Sequence, residues 1–383
     1  MLSRRAQTVA ALGVTQTLAW ASTYYLPAIL AAPMAKELGV SMPTVFAAFS
    51  LALLVSAFLG PYSGRAIDQW GGRPVLMATN LMFAAGLALL GCANSPAAMF
   101  GGWIVLGVGM GSGLYEAAFA ALVRLYGATS RSAITGVTLF AGFASTVGWP
   151  VSALLNAQVG WRGACFAWAL VHLLIALPLN WSLPRATPLG SREAREEAAS
   201  TADVPLRSVL LLSFVFAATW FISTAMAVHL PQLLQASGAT LATAVFVGAL
   251  VGPAQVAARI LEYGLLRRVH PLLSARLAAA MHPLGVAVLA VFGAPGAACF
   301  GLLHGAGNGI LTIAKGTLPL VLFGPQGYGQ RQGLLMVPAR VAQALAPWLF
   351  GLALDRWGVG ALGVSAAIGL AAVAALLLVP ARR

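Results

Sequence analysis

The sequence predicts an all-α polytopic membrane protein with twelve transmembrane helices in two pseudo-symmetric six-helix halves. Three observations support this fold class: recurrent apolar stretches, an asymmetric distribution of basic residues and a partial internal repeat. The chain is 60% hydrophobic and 8% charged, with a mean hydropathy of +0.87, which few soluble folds reach. A helix of about 20 apolar residues can cross a hydrocarbon core of about 30 Å. Stretches of this length recur along the whole chain.

Hydropathy and loop residues define the limits of the predicted spans. In order, they are 8–32, 42–63, 75–94, 97–123, 132–156, 163–182, 208–234, 240–265, 275–293, 296–322, 333–354 and 359–380. The strongly polar stretch 183–207 holds four of the nine acidic residues. We interpret it as a cytoplasmic linker between an N-terminal half, 1–182, and a C-terminal half, 208–383.

The basic residues indicate how these spans are oriented. Of the 22, sixteen lie on one set of alternating loops and ends: Arg4, Arg5, Arg65, Arg73, Arg124, Arg131, Arg185, Arg192, Arg195, Arg207, Arg267, Arg268, Arg276, Arg331, Arg382 and Arg383. Three lie on the other set: Lys36, Arg162 and Arg356. Cytoplasmic loops carry the excess of basic residues in membrane proteins. The pattern therefore predicts a multi-pass protein of a cell inner membrane with both termini in the cytoplasm.

The composition also excludes several classes of protein. The net charge of +13 is dispersed over short loops rather than gathered on one patch, which argues against nucleic acid and for a position beside anionic lipid. The three cysteines, Cys92, Cys165 and Cys299, show no metal-binding or pairing pattern, so we expect small buried side chains. The first apolar segment is too long for a removable signal peptide. We find no catalytic set, metal motif or nucleotide-binding motif, so we expect no enzyme activity, no cofactor, no metal and no use of ATP.

Short matches between the halves indicate a duplicated six-span unit. The matched pairs, in chain order, are Trp20 with Trp220, Tyr25-Leu26-Pro27 with His229-Leu230-Pro231, Val45-Phe46 with Val245-Phe246, Gly109–Gly113 with Gly305–Gly309, and Pro150 with Pro347. Each match is weak alone, but the order is collinear. Parallel halves of this kind imply a central pathway. The two glycine runs are expected to allow close helix packing rather than to bind phosphate.

The loop after the second span carries the most specific motif, Gly64-Arg65-Ala66-Ile67-Asp68-Gln69-Trp70-Gly71-Gly72-Arg73-Pro74. It resembles the signature loop of the major facilitator superfamily. The matching positions are Gly64, Asp68, Gly71 and Arg73, whereas Gln69 departs from the usual basic residue. The resemblance implies a conformational latch that includes Arg65. Physically, Gly64 would let helices approach closely, and Asp68 would accept from backbone N–H groups or pair with Arg65 or Arg73.

Three basic residues lie inside predicted spans: Arg259, Lys315 and Arg340. Only two acids, Glu116 and Glu262, lie inside spans, and we expect Glu262 to be solvated near the cytoplasmic end. A surplus of cations in hydrocarbon is unfavourable unless a counter-charge arrives. We therefore expect these cations to bind a small anionic substrate, most simply a carboxylate.

Arg259 is the strongest candidate for that role because a guanidinium can hold a carboxylate bidentately. The segment Gln255-Val-Ala-Ala-Arg259 resembles the arginine-bearing eighth helix of the monocarboxylate and oxalate (organic anion) branch of the superfamily, and Gly160-Trp161-Arg162 resembles a segment found there. Two repeat registers remain open. A shift of 200 leaves Arg259 deep, whereas a shift of 194 aligns it with Arg65 at the rim, paired with Glu262. We favour the first.

His304, Asn308 and Lys315 share one helical face in the tenth span, and the resemblance implies that this span lines the cavity. The alternative for Lys315 is to extend to the cytoplasmic interface. For Arg340 the alternative is a contact at a helix terminus or with the linker.

Aromatic residues and one acid complete the candidate site. Tyr24 and Trp220 are candidates for the pathway lining, together with Tyr25 and His229, although aromatics in spans commonly face lipid or pack. Glu116 is the candidate for proton coupling. Burial raises the pKa of a carboxyl and a nearby cation lowers it, so such a group can take up and release a proton near neutral pH. A permanent ion pair is the alternative.

These features predict a secondary active transporter that moves a small organic anion by alternating access, coupled to protons. Two alternatives stay open: a drug or toxic-compound efflux permease of the same superfamily, and a nontransporting membrane receptor.

Overall fold

The computed structural model describes residues 3–186, 205–265 and 269–380, and these residues are almost entirely helical. Most of the predicted linker, 187–204, lies outside the described residues, as do Arg267, Arg268, Arg382 and Arg383. The predicted boundary between the halves therefore stays a prediction. Within the described residues there is no β-strand.

The described helices form twelve spans, which confirms the predicted fold class. In the N-terminal part they are 4–38 (Arg4–Ser22 and Pro27–Leu38), Met42–Trp70, Gly72–Cys92, 96–126 (Pro96–Gly113 and Tyr115–Tyr126), 131–159 and 161–181. In the C-terminal part they are Leu206–Ala236, Leu241–Gly264, Pro271–Phe292, Ala297–Phe323, Tyr328–Trp357 and Ala361–Leu378. Eight stretches of the described chain are long and apolar enough to cross a membrane, and two of them, Pro96–Trp181 and Tyr328–Leu378, contain more than one span.

The helices depart from the predicted spans in length and continuity. Met42–Trp70 has 29 residues and is longer than the predicted 42–63, because the helix continues into the signature loop. The fifth and sixth spans are separated by a kink at Gly160, whose φ of 72° favours glycine. The first span breaks at 23–26 and the fourth at Leu114. The hydropathy pattern does not predict these breaks because the apolar character continues through them.

The described residues belong to two compact units. The first unit comprises those within Met1–Asp203 and Gly324–Val337, and the second comprises those within Val204–Phe323 and Pro338–Arg383. Tyr328–Trp357 thus begins in the first unit and ends in the second.

Glycines bring the fourth span against the second inside the first unit. A Cβ atom on Gly107 would lie 2.6 Å from the carbonyl oxygen of Ala52, and one on Gly111 would lie 2.9 Å from that of Ser56. Only glycine permits this separation of the two backbones.

The second unit repeats this packing between the tenth span and the eighth. A Cβ atom on Gly305 would lie 2.7 Å from the carbonyl oxygen of Val251, and one on Gly309 would lie 2.5 Å from that of Gln255. The prediction that the glycine runs serve close helix packing is therefore confirmed.

The paired contacts also resolve the repeat register. The second-span residues at 52 and 56 correspond to the eighth-span residues at 251 and 255, a shift of 199. This shift aligns Arg259 with Gly60, five residues closer to the middle of the span than Arg65. The geometry supports the deep register over the shift of 194.

The cysteine prediction is wrong for two of the three residues. Cys165 is buried, but Cys92 and Cys299 are exposed on the surface of the protein.

An ionic cluster joins the first, third and sixth spans of the first unit near the end opposite the signature loop. Glu37 accepts from Nε of Arg162 at 2.8 Å and from the indole N–H of Trp161. The same arginine donates to the carbonyl oxygens of Gly91, at 3.0 Å, and Ala93. The Gly160-Trp161-Arg162 segment therefore has a structural role at this end.

Substituting Gly107 by alanine is expected to destabilise the protein by about 1–3 kcal/mol, because the new methyl group would overlap the backbone of Ala52. Gly101→Ala is the matched control, since a Cβ atom there would meet no atom within 4 Å. Thermal unfolding of the purified variants measures the difference, and equal midpoints for the two variants would contradict the packing argument.

Candidate functional site

Among the described residues of the second unit, four charged side chains are buried. Arg259 and Arg340 are each 4% exposed, Lys315 is 5% exposed and Glu262 is 3% exposed. The expectation that Glu262 is solvated is wrong: its carboxylate lies in the packed part of the eighth span, one turn beyond Arg259. Charges withdrawn from solvent to this degree are retained at functional sites in membrane proteins.

Lys315 and Arg340 converge on the indole of Trp220. The ammonium nitrogen of Lys315 lies 4.1 Å from the ring centroid, and the guanidinium carbon of Arg340 lies 5.4 Å from it. Cation–π attraction at such separations is worth about 0.5–2 kcal/mol for each pair. The ring thus fixes two cations from the tenth and eleventh spans beside the seventh. We call these three residues the indole–cation cluster.

Gln343 supports the cluster and was not among the predicted residues. Its side-chain oxygen accepts from Arg340 at 3.0 Å, and the residue is fully buried. Its amide nitrogen has no hydrogen-bond acceptor among the described residues. A buried N–H donor beside a guanidinium suits a ligand that brings acceptor oxygens. The only sequence signal was its position three residues after Arg340.

Arg259 lies on the eighth span and contacts the tenth span. Its Nε atom donates to the carbonyl oxygen of Gly309 at 3.4 Å, and a terminal nitrogen donates to Gln255 at 3.5 Å. These bonds orient the guanidinium between the eighth and tenth spans.

His304 and Asn308 line a small cavity in the second unit, together with residues of the seventh, ninth and twelfth spans. Lys315 shares their helix but packs on Trp220. The structure therefore separates the predicted set into a cationic part and a neutral polar part.

His229 fixes the C-terminal part of the seventh span to the eleventh. Its Nε2–H donates to the carbonyl oxygen of Pro347 at 2.9 Å, and its ring packs on Phe350 with centroids 5.8 Å apart. These contacts give His229 a structural role.

Tyr24 belongs to an aromatic cluster in the first unit. Its ring lies 5.2 Å from Trp20, 5.3 Å from Tyr25 and 5.6 Å from Phe49, all edge to face. Tyr24 is half-buried, so one side of this cluster is accessible. The contacts show packing, and a role in lining a pathway stays a prediction.

Glu116 lies at a break in the fourth span. The helix stops at Gly113, whose carbonyl oxygen accepts from Gln16 at 2.7 Å, and a second helix starts at Tyr115. Glu116 is in the first turn of that second helix and is half-buried. A carboxylate is favoured there because the free N–H groups of a helix start carry a partial positive charge. The break thus sets an acid inside the span.

The signature loop uses Asp68 to cap a helix. Its two carboxylate oxygens accept from the backbone N–H groups of Gly329 and Gln330, each at 2.8 Å, at the start of Tyr328–Trp357. This contact, within the first unit, matches the first of the two roles predicted for Asp68. An anion satisfies the unpaired N–H groups and the dipole of a helix start.

Other residues of the loop hold that contact in place. A Cβ atom on Gly64 would lie 2.0 Å from the carbonyl oxygen of Gly329, so the predicted close approach is confirmed. Gly71 has a φ of 84° and ends the helix. Arg73 lies over the ring of Trp181 at 5.7 Å, and Arg65 is exposed.

Comparisons with known proteins identify the class. The family profile of the Major Facilitator Superfamily matches residues 12–314. The chain therefore belongs to the Major Facilitator Superfamily and is a multi-pass membrane transporter, whose members bind small-molecule substrates within a lipid bilayer.

Two relatives match different shares of this chain at similar sequence identity. An "Uncharacterized 38 kDa protein in 23S RNA operon" of Thermoproteus tenax is 29% identical over 351 residues, covering 91% of this chain and 89% of that protein. The multidrug resistance protein MdtH of Salmonella paratyphi B is 28% identical over 152 residues, covering 39% of this chain and 37% of that protein.

Solved structures show the same fold at low identity. The human organic anion transporter MFSD10 (TETRAN) is 18% identical with a TM-score of 0.70, covering 97% of this chain and 99% of that chain. The transporter FucP, in its outward conformation, is 14% identical with a TM-score of 0.79, covering 99% and 100%. The proton:xylose symporter XylE is 14% identical with a TM-score of 0.77, covering 98% and 97%.

Asp68→Asn is expected to slow transport several-fold while substrate affinity stays within about threefold, because the substitution removes the charge that caps Tyr328–Trp357 but leaves the second unit unchanged. Flux and equilibrium binding on the same reconstituted preparation separate the two quantities. Arg65→Gln, at an exposed position of the same loop, is the control. A large loss of affinity with normal turnover would assign Asp68 to substrate binding instead.

Proposed function

We propose that this transporter moves a small organic anion, most simply a carboxylate, by alternating access coupled to protons. The site is centred on the indole–cation cluster with Arg259 beside it, and Glu116 carries the coupled proton. The protein would lie in a cell inner membrane with both termini in the cytoplasm, an orientation supported by the sixteen-to-three division of basic residues between the two sets of loops.

The observation that carries this proposal is the pairing of Lys315 and Arg340 on one indole. Because one ring holds both cations, their donors are available from two helices at one place. A carboxylate could accept from the ammonium and from the guanidinium there. The buried amide N–H of Gln343 would give such a ligand a third donor beside the guanidinium.

The charge balance of the second unit points the same way. Among its described residues, the buried charged side chains are three cations and one acid, Glu262. Their formal sum is +2. An incoming anion would reduce the net charge of this region, whereas a cationic substrate would raise it.

Two structural neighbours carry names that agree with an organic anion and with protons. One structural neighbour is named as an organic anion transporter and another as a proton symporter of xylose. At these identities the likeness shows the fold alone, so the assignment of this chain to the monocarboxylate and oxalate branch depends on its own residues.

A drug efflux permease is the second candidate, favoured by the partial match to the multidrug resistance protein MdtH. The net positive charge of the buried groups disfavours cationic drugs but is compatible with neutral or acidic ones. Competition between a labelled carboxylate and a panel of cationic, neutral and acidic drugs distinguishes the two functions. Flux through proteoliposomes distinguishes either one from a nontransporting receptor.

Arg340→Ala and Lys315→Ala are each expected to weaken carboxylate binding about 30-fold to several thousand-fold, equivalent to about 2–5 kcal/mol for removing a buried charged partner. Arg259→Lys should also bind poorly, because an ammonium cannot reproduce the bidentate guanidinium. Binding is measured by titrating purified protein with mono- and dicarboxylates.

The matched control is Arg356→Ala, an exposed arginine on the same helix as Arg340. Unfolding midpoints check that the variants are folded. If folded Arg340→Ala and Lys315→Ala bind carboxylates like the parent, the cluster is a packing feature and the proposed substrate site is wrong.

Glu116→Gln is expected to abolish the acceleration of transport by a pH gradient while leaving substrate exchange intact, because an amide retains the shape of the side chain but cannot take up a proton. Proteoliposome flux with and without the gradient measures the effect. Glu262→Gln, the buried acid of the second unit, serves as comparison. An unchanged gradient response in Glu116→Gln would remove this residue from the coupling mechanism.

A further inference from the structure

A small cavity beside His304 is lined by none of the three residues of the indole–cation cluster. Its polar lining comes from Thr219 and Ser223 of the seventh span, His282 of the ninth, and His304 and Asn308 of the tenth. Its free volume for a water-sized sphere is about 20 Å³, above the roughly 10–15 Å³ that one water needs. It therefore has room for one small polar group, and no charged residue lines it.

A chain of hydrogen bonds fixes which atoms of the two histidines carry protons. Ser365 donates its only hydroxyl proton to the carbonyl oxygen of Leu362 at 2.9 Å, so it accepts from Nε2–H of His282 at 3.1 Å. A neutral imidazole has one N–H, so Nδ1 of His282 is an acceptor. It accepts from Nδ1–H of His304 at 3.0 Å.

This assignment leaves Nε2 of His304 as an acceptor. The residue is 4% exposed, and no hydrogen bond to that nitrogen is present among the described residues. Both rings stay neutral because an imidazolium would be buried without a carboxylate in the cavity lining. A buried acceptor that faces a cavity is unfavourable unless a donor occupies the cavity.

The first unit contains a histidine whose two nitrogens are both satisfied. Ser22 donates to the carbonyl oxygen of Leu18 at 2.8 Å, so His172 donates its Nε2–H to Ser22 at 2.8 Å. Its Nδ1 atom lies 3.2 Å from the side-chain amide of Asn80, whose N–H group supplies the donor once the amide is turned. His172 therefore has protein partners where His304 has a cavity.

The seventh and tenth spans contribute residues to both the cavity and the indole–cation cluster. Thr219 precedes Trp220 on the seventh span, and Leu311, which also lines the cavity, lies one helical turn before Lys315 on the tenth. His304 and Lys315 are eleven positions apart, which is roughly 16 Å along a helix. A ligand that reaches both must therefore extend over several carbon atoms.

We propose that His304 Nε2, with Asn308 beside it, accepts a hydrogen bond from a hydroxyl group of the transported anion. The substrate is then an aliphatic carboxylate that carries a hydroxyl several carbons from the carboxylate. The inference rests on the proposed function, since the indole–cation cluster holds the carboxylate end.

Three probes differ only in the hydroxyl: hexanoate, 2-hydroxyhexanoate and 6-hydroxyhexanoate. Calorimetric titration of the purified protein in nanodiscs is expected to show 6-hydroxyhexanoate binding about tenfold tighter than the other two. In His304→Asn the amide N–H replaces Nδ1–H toward His282, but no acceptor replaces Nε2. This variant should bind 6-hydroxyhexanoate and hexanoate equally and retain hexanoate affinity within about threefold. His172→Gln, which keeps the donor to Ser22, is the control and should preserve the preference.

The outcomes separate this inference from the proposed function. Three results would overturn the hydroxyl site: equal binding of the three probes by the parent, a preference for 2-hydroxyhexanoate, or a preference for 6-hydroxyhexanoate that survives in His304→Asn. Equal binding would also indicate that water alone fills the cavity. Failure of the parent to bind any of the three, together with other carboxylates, overturns the proposed anion function itself. Nitrogen-15 spectra of the five histidines give an independent measurement. An N–H on Nε2 of His304 would contradict the acceptor assignment.

Discussion

In hydrocarbon, every charged group and every polar group without a hydrogen-bond partner costs free energy. The structure depends on where the chain places such groups and what they contact there. Arg259, Lys315 and Arg340 lie inside spans, and all three are buried in one unit. The contacts that hold them include an indole ring, an amide oxygen and a backbone carbonyl. These contacts keep the cations in fixed places, and a fixed charge can select a ligand.

The same penalty explains the helix breaks and caps. A break in a span exposes backbone groups that lipid cannot satisfy, so each break needs a partner from the protein. At the fourth span Gln16 satisfies the carbonyl oxygen of Gly113, and the start of the following helix places Glu116 inside the span. At the start of Tyr328–Trp357 the carboxylate of Asp68 satisfies two N–H groups. Glu116 and Asp68 therefore stand beside helix starts, where the negative charge has a structural use before any functional one.

The sequence was sufficient to predict the fold class, because hydropathy, loop charges and the motif around Asp68 are local or periodic signals. It also predicted the glycine packing, since small residues at regular spacing have one physical use in a bilayer. It did not predict the break at Leu114, which depends on Gln16 from another span. Nor did it predict Gln343, whose importance arises only once Arg340 lies against Trp220. The repeat register was ambiguous because single matches do not fix which faces touch, and the paired contacts of Gly111 and Gly309 were needed to resolve it.

Each unit contains a buried serine–histidine hydrogen bond, but the rest of the network differs between the two units. In each, a serine that donates to its own helix receives a proton from a buried histidine, so that the opposite ring nitrogen must accept. In the first unit Asn80 supplies the donor and the network closes on itself. In the second unit the acceptor role passes from His282 to His304, and the last nitrogen faces a cavity. A network in which every donor and acceptor has a protein partner stabilises packing. The network of the second unit ends at an acceptor nitrogen of His304, so a bound hydrogen-bond donor would stabilise it further. The two networks are not copies produced by the duplication, since a shift of 199 carries His172 to Ala371 and His282 to Phe83. The network that ends at a cavity is the one in the unit that holds the buried cations.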